Sequence, residues 1–450
     1  MRIKMTSQTT NPRLGALLIL NSIFLEGAYA NLALSKALNG SPLDRRDKAL
    51  VTELVYGTVK AQGTLDWLLE KSINRPIRKV TPIVHNILRM AVYQIFYLSK
   101  IPPSAACNEA VELAKKFGNE GMAKFVNGVL RGMLRNKEKL QFPSIEQNEP
   151  LHIALTYMHP EWLVQRWRYR FGTEDTIKLC QYDNKTPNLT MRVNTLLISR
   201  DQLAEKLKAA GLEVHPSQWS KDGLVCDKLT SLQELMTKFG QYIYIQDESS
   251  MLVADVLHPQ EGETVFDLCS APGGKTTHLA QKMGNKGRIQ ATDIYEHKLQ
   301  LVRENARRLH INIIHTELQD GSQVRPEWQG KADKVLVDAP CSGLGVLGRR
   351  AEARWTKKEK DLSKFPFLQK KILAAGASYV KVGGRLLYST CTLERDENTR
   401  VAADFLQKHP DFKAVEFSHP LTGEKITELQ LLPQKDNIDG FYLALFERIK

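Results

Sequence analysis

Asp267-Leu268-Cys269-Ser270-Ala271-Pro272-Gly273-Gly274-Lys275-Thr276 joins an apolar run, Thr264 to Leu268, to a helical pattern that starts at Lys275. Paired glycines at such a junction let the backbone approach a ligand closely, and the helix that follows offers unpaired N–H groups. The rival is a nucleoside-triphosphate loop, whose ending Gly274-Lys275-Thr276 matches. That loop needs a glycine at position 269, where Cys stands, so the triphosphatase reading fails.

From Gln241 onward the pattern repeats strand, loop and helix, which predicts a parallel sheet covered by helices on both faces. Strands are expected at Arg288 to Ala291, Ile311 to His315, Lys334 to Val337 and Arg385 to Tyr388, with a last strand, Gly440 to Phe446, at a sheet edge. The second strand ends at Asp293, 26 residues beyond Asp267, where a doubly wound fold places the carboxylate that meets ribose hydroxyls. Asp320, in Gln319-Asp320-Gly321 after the third strand, has the position of an adenine contact and the composition of a turn.

Two later strands end in cysteines, within Asp338-Ala339-Pro340-Cys341-Ser342-Gly343 and Tyr388-Ser389-Thr390-Cys391-Thr392. If those strands are neighbours, a spacing of roughly 5 Å brings both thiols to one base. Spacing leaves open which thiol attacks. A zinc deaminase would need P-C-x-x-C, and position 344 is Leu. Around Arg349, Arg350, Arg354, Lys357, Lys358, Lys360 and Lys364 stands Trp355, a composition that suits a backbone groove with a stacking platform or, equally, a solvated helix face.

Upstream, in a first domain set at 1–142, the pattern is helical throughout from about Asn11 to Leu140, with apolar sets such as Val51, Leu54, Val55 and Val59. Residues 1–150 hold 21 basic and 12 acidic side chains, most of the net +13 of the 450-residue chain, which points to a polyanion. Lys124, Arg131, Arg135, Lys137 and Lys139 are the expected RNA contacts. Residues 143–240 form a proline-bearing connector and a small β-α-β unit, Thr190 to Val193, Asp201 to Ala210 and Gly211 to Val214, similar to an RNA-recognition fold but without its aromatic signature. The third domain is then 241–450.

Six dispersed cysteines without a C-x-x-C pair argue against a zinc site or a disulfide framework and for a reducing cytoplasm; no metal is expected. No apolar run reaches the ~20 residues of a membrane span. Arg2, Lys4, the run Leu14 to Leu25 and Ala28-Tyr29-Ala30 imitate a signal peptide, but Asn21, Ser22 and Glu26 interrupt it, and a buried helix is expected.

D-L-C-S-A-P-G-G-K-T, D-A-P-C-S-G and S-T-C-T, in this order, resemble the RNA cytosine-C5 methyltransferase family, and the helical region resembles a NusB-like RNA-binding domain. Together they are similar to the bacterial 16S rRNA methyltransferases of the Sun/Fmu type. The resemblance implies a multidomain chain: an all-α NusB-like domain, a small α+β RRM-like domain and a C-terminal α/β Rossmann-like class I methyltransferase. It implies S-adenosylmethionine held by Cys269, Ser270, Ala271, Pro272, Gly273, Gly274, Lys275, Asp293, Asp320 and Asp338. It makes Cys391 the nucleophile, Cys341 the residue that resolves the adduct, and Asp338 a support for the N3/N4 edge of cytosine. The expected partner is 16S rRNA before small-subunit assembly is complete, bound by a monomer. One departure stands in Ala351-Glu352-Ala353-Arg354-Trp355, where relatives often carry a Pro-Asp-Ile-Lys-Trp-like run. The alternatives are a tRNA or 23S rRNA substrate, or a non-catalytic RNA-binding assembly factor.

Overall fold

The computed structural model describes residues 10–229 and 231–450; Arg2 and Lys4 of the signal-like stretch lie outside them. The chain forms two compact units, one running to Lys185 and including Leu347–Glu359, the other comprising Thr186–Val346 and Lys360–Lys450.

The first unit is helical. Its leading helix, Pro12–Glu26, starts on Asn11, whose side chain accepts from the Leu14 N–H, and stops at Gly27 in the left-handed region (φ 72°). These are ordinary start and stop signals. Leu17, Ile19, Leu20 and Ile23 are buried against Leu54, Val55, Ile87 and Leu88 of Arg45–Lys60 and Pro82–Tyr97, so the signal-like run is a core helix. Pro103–Phe117 and Glu120–Arg135 close the bundle, and Lys124, Arg131 and Arg135 lie exposed on the latter. The expected helix at Trp162 to Phe171 extends over Glu161–Asn184, broken at Gly172 (φ 81°).

Leu347–Glu359 corrects the stacking-platform expectation. Arg354 is buried and donates to the Met158 carbonyl and Asn184 Oδ1, both at 2.9 Å. The Trp355 indole N–H donates to the Val59 carbonyl at 2.8 Å. Its ring lies so close to Gly63 that a Cβ there would stand 2.4 Å from a ring carbon. Both side chains that were to face RNA are used in holding the helical unit together.

The second unit contains two sheets. In the smaller, β1 (Leu189–Val193), β2 (Glu213–Pro216), β3 (Gly223–Lys228) and β4 (Ile243–Ile245) take the order β2-β3-β1-β4, all antiparallel. Helices Arg200–Ala209 and Leu232–Phe239 cover it, through Leu203, Leu207 and Leu235 over Met191, Val193 and Leu224. Ser199 and Gln202 cap the first helix reciprocally. The small sheet therefore extends past position 241, because β4 completes it.

In the larger sheet, β5 (Thr264–Asp267), β6 (Arg288–Asp293), β7 (Ile314–Leu318), β8 (Ala332–Asp338) and β9 (Val380–Thr390) are parallel. After β10 (Phe412–Ala414), a short ladder of β11 (Phe417–Ser418) and β12 (Lys425–Ile426) precedes β13 (Glu428–Leu431) and β14 (Phe441–Arg448). The order is β10-β14-β9-β8-β5-β6-β7, with β13 also on β14. Val335 and Val337 feed one core and Leu336 the other, the alternation of a sheet buried on both faces. The last strand is not an edge: β14 pairs antiparallel with β9, and β10 and β13 cover its other side. Those two covering strands have three and four residues and no readable alternation, so the sequence left β14 looking terminal. The chain leaves β5 toward β6 on one side and later returns to β8 on the other. The carboxyl ends of β5, β6, β8 and β9 thus surround the switch-point crevice where open α/β sheets bind ligands.

Candidate active site

β5 ends at Asp267, and the turn after it is tied to the neighbouring strand: the Ser270 N–H and Oγ both donate to the Thr292 carbonyl, at 2.8 and 3.0 Å. Gly273 has φ 102°, a backbone that disfavours a side chain, and a Cβ there would stand 3.2 Å from Val302 Cα. At Gly274 a Cβ would meet the Tyr244 ring at 3.1 Å. The helix Gly274–Lys282 begins at this point.

Four carboxylates converge on the turn. Burial first, then Asp267, Asp338, Asp293 and Asp320, push the Cys269 thiol well above its ordinary range. That environment disfavours the thiolate form of Cys269. Asp293, at the tip of β6, accepts from the Tyr295 N–H at 3.0 Å. Exposed Asp320 accepts from the Ser322 N–H and Oγ, at 2.9 and 2.7 Å. Asp338 receives Lys275 Nζ at 2.6 Å on one oxygen and Ser389 Oγ at 2.8 Å on the other. Burial works against the Lys275 ammonium, yet Asp338 and then Cys391 and Asp267 outweigh it and raise its pKa. Asp267, fully buried with Thr276 Oγ1 on one oxygen, is pushed up to about 7, chiefly by burial, with Asp338 adding to the rise.

The register Asp338↔Ser389 brings the ends of β8 and β9 side by side, and the two thiols follow: Cys341 Sγ and Cys391 Sγ are 3.3 Å apart, both half-buried. The hydrogen bond to Cys391 first, then burial, holds the Cys341 thiol well above its usual range. The expectation that neighbouring strands would unite these sulfurs agrees with the geometry.

Arg192 was missed. It lies on β1 of the small sheet, fully buried, and donates to the Gly274 carbonyl and to Gln246 Oε1, and to Thr277 Oγ1 at 2.8 Å. Its guanidinium lies over the Tyr244 ring, 5.0 Å from the centroid. The one available signal was a charged residue between the apolar Met191 and Val193 of the strand.

The donor set suits S-adenosylmethionine. Three aspartates, with Lys275 as a neighbouring cation, favour a ligand that carries positive sulfonium and ammonium groups and ribose hydroxyls. The glycine turn, where a Cβ would be tightly crowded, leaves bare backbone for it. A Rossmann-like sheet with such a turn, and without a phosphate loop, places the protein among the S-adenosylmethionine-dependent methyltransferases. The family model described as 16S rRNA methyltransferase RsmB/F matches residues 254–447, the NusB family matches 10–135, and the ferredoxin-like domain of RsmF/B-like methyltransferases matches 159–233. The chain belongs to the 16S rRNA methyltransferase RsmB/F family.

"Probable ribosomal RNA small subunit methyltransferase B" of Bacillus subtilis (strain 168) is 41% identical over 425 residues, covering 93% of this chain and 94% of the relative. The crystal structure of PH0851 is 27% identical with a TM-score of 0.84, covering 98% of this chain and all of that one. NSun6 from Pyrococcus horikoshii, solved with SFG, is 25% identical with a TM-score of 0.57 and covers 65% of this chain and 98% of its own. The expected order of a NusB-like domain, a small α+β domain and a methyltransferase domain holds, and the middle one matches the ferredoxin-like model. Among the described residues no helix is long and apolar enough to cross a membrane.

Proposed function

We propose that this protein methylates C5 of a cytosine in 16S rRNA through a transient bond between Cys391 and C6 of the base. The observation that carries the reading is the pair of thiols 3.3 Å apart beside Asp338, at the carboxyl ends of adjacent strands.

C5 of cytosine is too weak a nucleophile to take a methyl group unaided. S-adenosylmethionine supplies an electrophilic methyl group when bound; Cys269 to Lys275, Asp293, Asp320 and Asp338 are the residues to hold it. Addition of the Cys391 thiolate at C6 raises electron density at C5, and Lys275 supplies positive charge near that sulfur. Asp338 can accept from the N4 amino group and so orient the N3/N4 edge, while the Lys275 ammonium beside it offsets the charge which that edge gains. Loss of the C5 proton to solvent and expulsion of the Cys391 thiolate then restore aromaticity, and Cys341, 3.3 Å from the leaving sulfur, helps to resolve the adduct. The base must leave its stack at a cost of about a few kcal/mol. Exposed Lys124, Arg131 and Arg135 on the helix Glu120–Arg135 supply positive charge for RNA phosphates. In this reading the protein acts as a monomer in the cytoplasm, on 16S rRNA that is not yet fully assembled.

The test is methyl transfer from labelled S-adenosylmethionine to 16S rRNA, with the product mapped by bisulfite sequencing. Cys391→Ala should abolish turnover and leave cofactor affinity near wild type, while Cys341→Ala should accumulate an RNA–protein adduct stable to denaturing gels. Transfer to tRNA or 23S rRNA alone would replace the substrate; tight RNA binding without any transfer would favour an assembly factor.

A further inference from the structure

Glu397 and Asn398 are adjacent, buried at 1% and 0% exposure, and lead into the helix Thr399–Lys408. Neither emerged from the sequence as a site residue. Each ties down the residues on both sides of one thiol. Glu397 Oε2 accepts from the Ser342 N–H at 2.8 Å and from Gln369 Nε2 at 2.9 Å, and the same Gln369 amide donates to the Pro340 carbonyl at 3.0 Å. Cys341 is thus held at positions 340 and 342. Asn398 Oδ1 accepts from Thr390 Oγ1 at 2.5 Å, and its Nδ2 donates to the Thr392 carbonyl at 2.9 Å, so Cys391 is held at 390 and 392. The Tyr388 hydroxyl anchors the Glu397 carbonyl at 2.6 Å, and Gln430 Oε1 takes a second bond from Asn398 Nδ2 at 2.7 Å.

The last paired residues of β8 and β9 are Asp338 and Ser389, so both cysteines lie just past that ladder, where the Ser342 and Thr392 hydroxyls, 2.7 Å apart, and the Gly345 N–H, 3.1 Å from the Cys391 carbonyl, join the two loops. One peptide bond joins the two side chains that brace these loops on both sides of each cysteine. Both are buried, and losing a buried polar partner costs about 1–3 kcal/mol, enough to release a loop.

We propose that Glu397–Asn398 is the positioning pair of the two thiols: Glu397 orients Cys341, Asn398 orients Cys391, and the peptide between them, together with the direct Ser342–Thr392 bond, keeps the sulfurs at their spacing. Its catalytic consequence rests on the covalent reading above, but its geometric content does not.

The experiment therefore has two arms on the full-length protein. In the first, diamide oxidises the protein: each thiol gives up one proton and one electron, a Cys341–Cys391 disulfide forms, and diamide is reduced to its hydrazine. The linked peptides are timed by mass spectrometry. Glu397→Ala and Asn398→Ala should each slow linkage at least about tenfold, with S-adenosylmethionine affinity within about threefold of wild type. Glu397→Gln, which keeps an acceptor for Ser342, should restore most of the rate. Wild-type linkage in both alanine variants, or an equal loss of cofactor affinity, overturns the proposal. Should Glu397→Ala not fold, Gln369→Ala tests the same side: its linkage must slow, and an unchanged rate overturns the role at Cys341.

In the second arm, with substrate RNA, Glu397→Ala should accumulate adduct as Cys341→Ala does, and Asn398→Ala should form none, as Cys391→Ala does. Identical behaviour of the two overturns the division of roles. If Cys341→Ala itself yields no adduct, the covalent reading fails, and the linkage rates still decide the positioning pair.

Discussion

Lys275 Nζ stands 2.6 Å from Asp338 Oδ2, and this contact links the glycine turn after β5 to the end of β8, where the first thiol loop begins. The pair is mostly shielded, with 17% and 25% of the side chains exposed, and Cys391 also helps hold the Lys275 charge. Lys275→Met should leave Asp338 facing Asp267 without a cation. We expect a stability loss of about 2–4 kcal/mol and a fall in kcat of about a hundredfold or more. Urea unfolding and steady-state kinetics measure both, and a variant with wild-type kcat would remove Lys275 from the chemistry.

Asp267 provides a pH test. Its folded pKa, about 7, lies above the ordinary aspartate value, so the folded state holds the proton more tightly than the unfolded chain. The stability this contributes is complete below about pH 4 and is lost as pH rises through about 7. Asp267→Asn should abolish that decline and make the protein more stable than wild type above pH 7, by up to a few kcal/mol. Unfolding free energies from pH 4 to 8 decide it; parallel curves for the two proteins would refute the assignment.

Arg192 carries the small sheet onto the first turn of the helix Gly274–Lys282. Arg192→Met keeps the bulk but removes the donors to Gly274, Gln246 and Thr277, and should cost about 3 kcal/mol. Cofactor affinity should fall with it, because the turn loses its external support. Calorimetric titration with S-adenosylmethionine checks this, and an unchanged dissociation constant would leave Arg192 a purely structural residue.

Trp355 serves the helical unit in the structure. Trp355→Phe, which removes the N–H donated to Val59, should lower stability by about 1 kcal/mol and leave RNA affinity within about twofold. Gly63→Ala, which drives a Cβ into the same ring, should cost about 1–3 kcal/mol. A tenfold loss of RNA affinity in Trp355→Phe would restore the indole as a stacking platform.

Local patterns made much of this legible. The glycine turn could be read because strand, turn and helix are contiguous in Thr264 to Lys282, and the aspartate at 293 because β6 directly follows that helix. The meeting of Cys341 and Cys391 was readable only conditionally, since it required β8 and β9 to be neighbours. Strand order is set by which faces pack, not by residues at the strand itself, and for the same reason β14 looked like an edge.

The amino-acid sequence by itself determined the helical region, the Rossmann-like order of elements and the residues at the strand ends, because these depend on periodicity and on backbone needs within a few residues. Only the tertiary structure decided what Arg192, Trp355, Glu397 and Asn398 do. Trp355 reaches a carbonyl 296 positions away and Arg192 one 82 positions away, and no local period encodes such partners. A buried polar group must find its hydrogen bonds wherever packing brings them, so its role becomes defined only when the chain has closed around it.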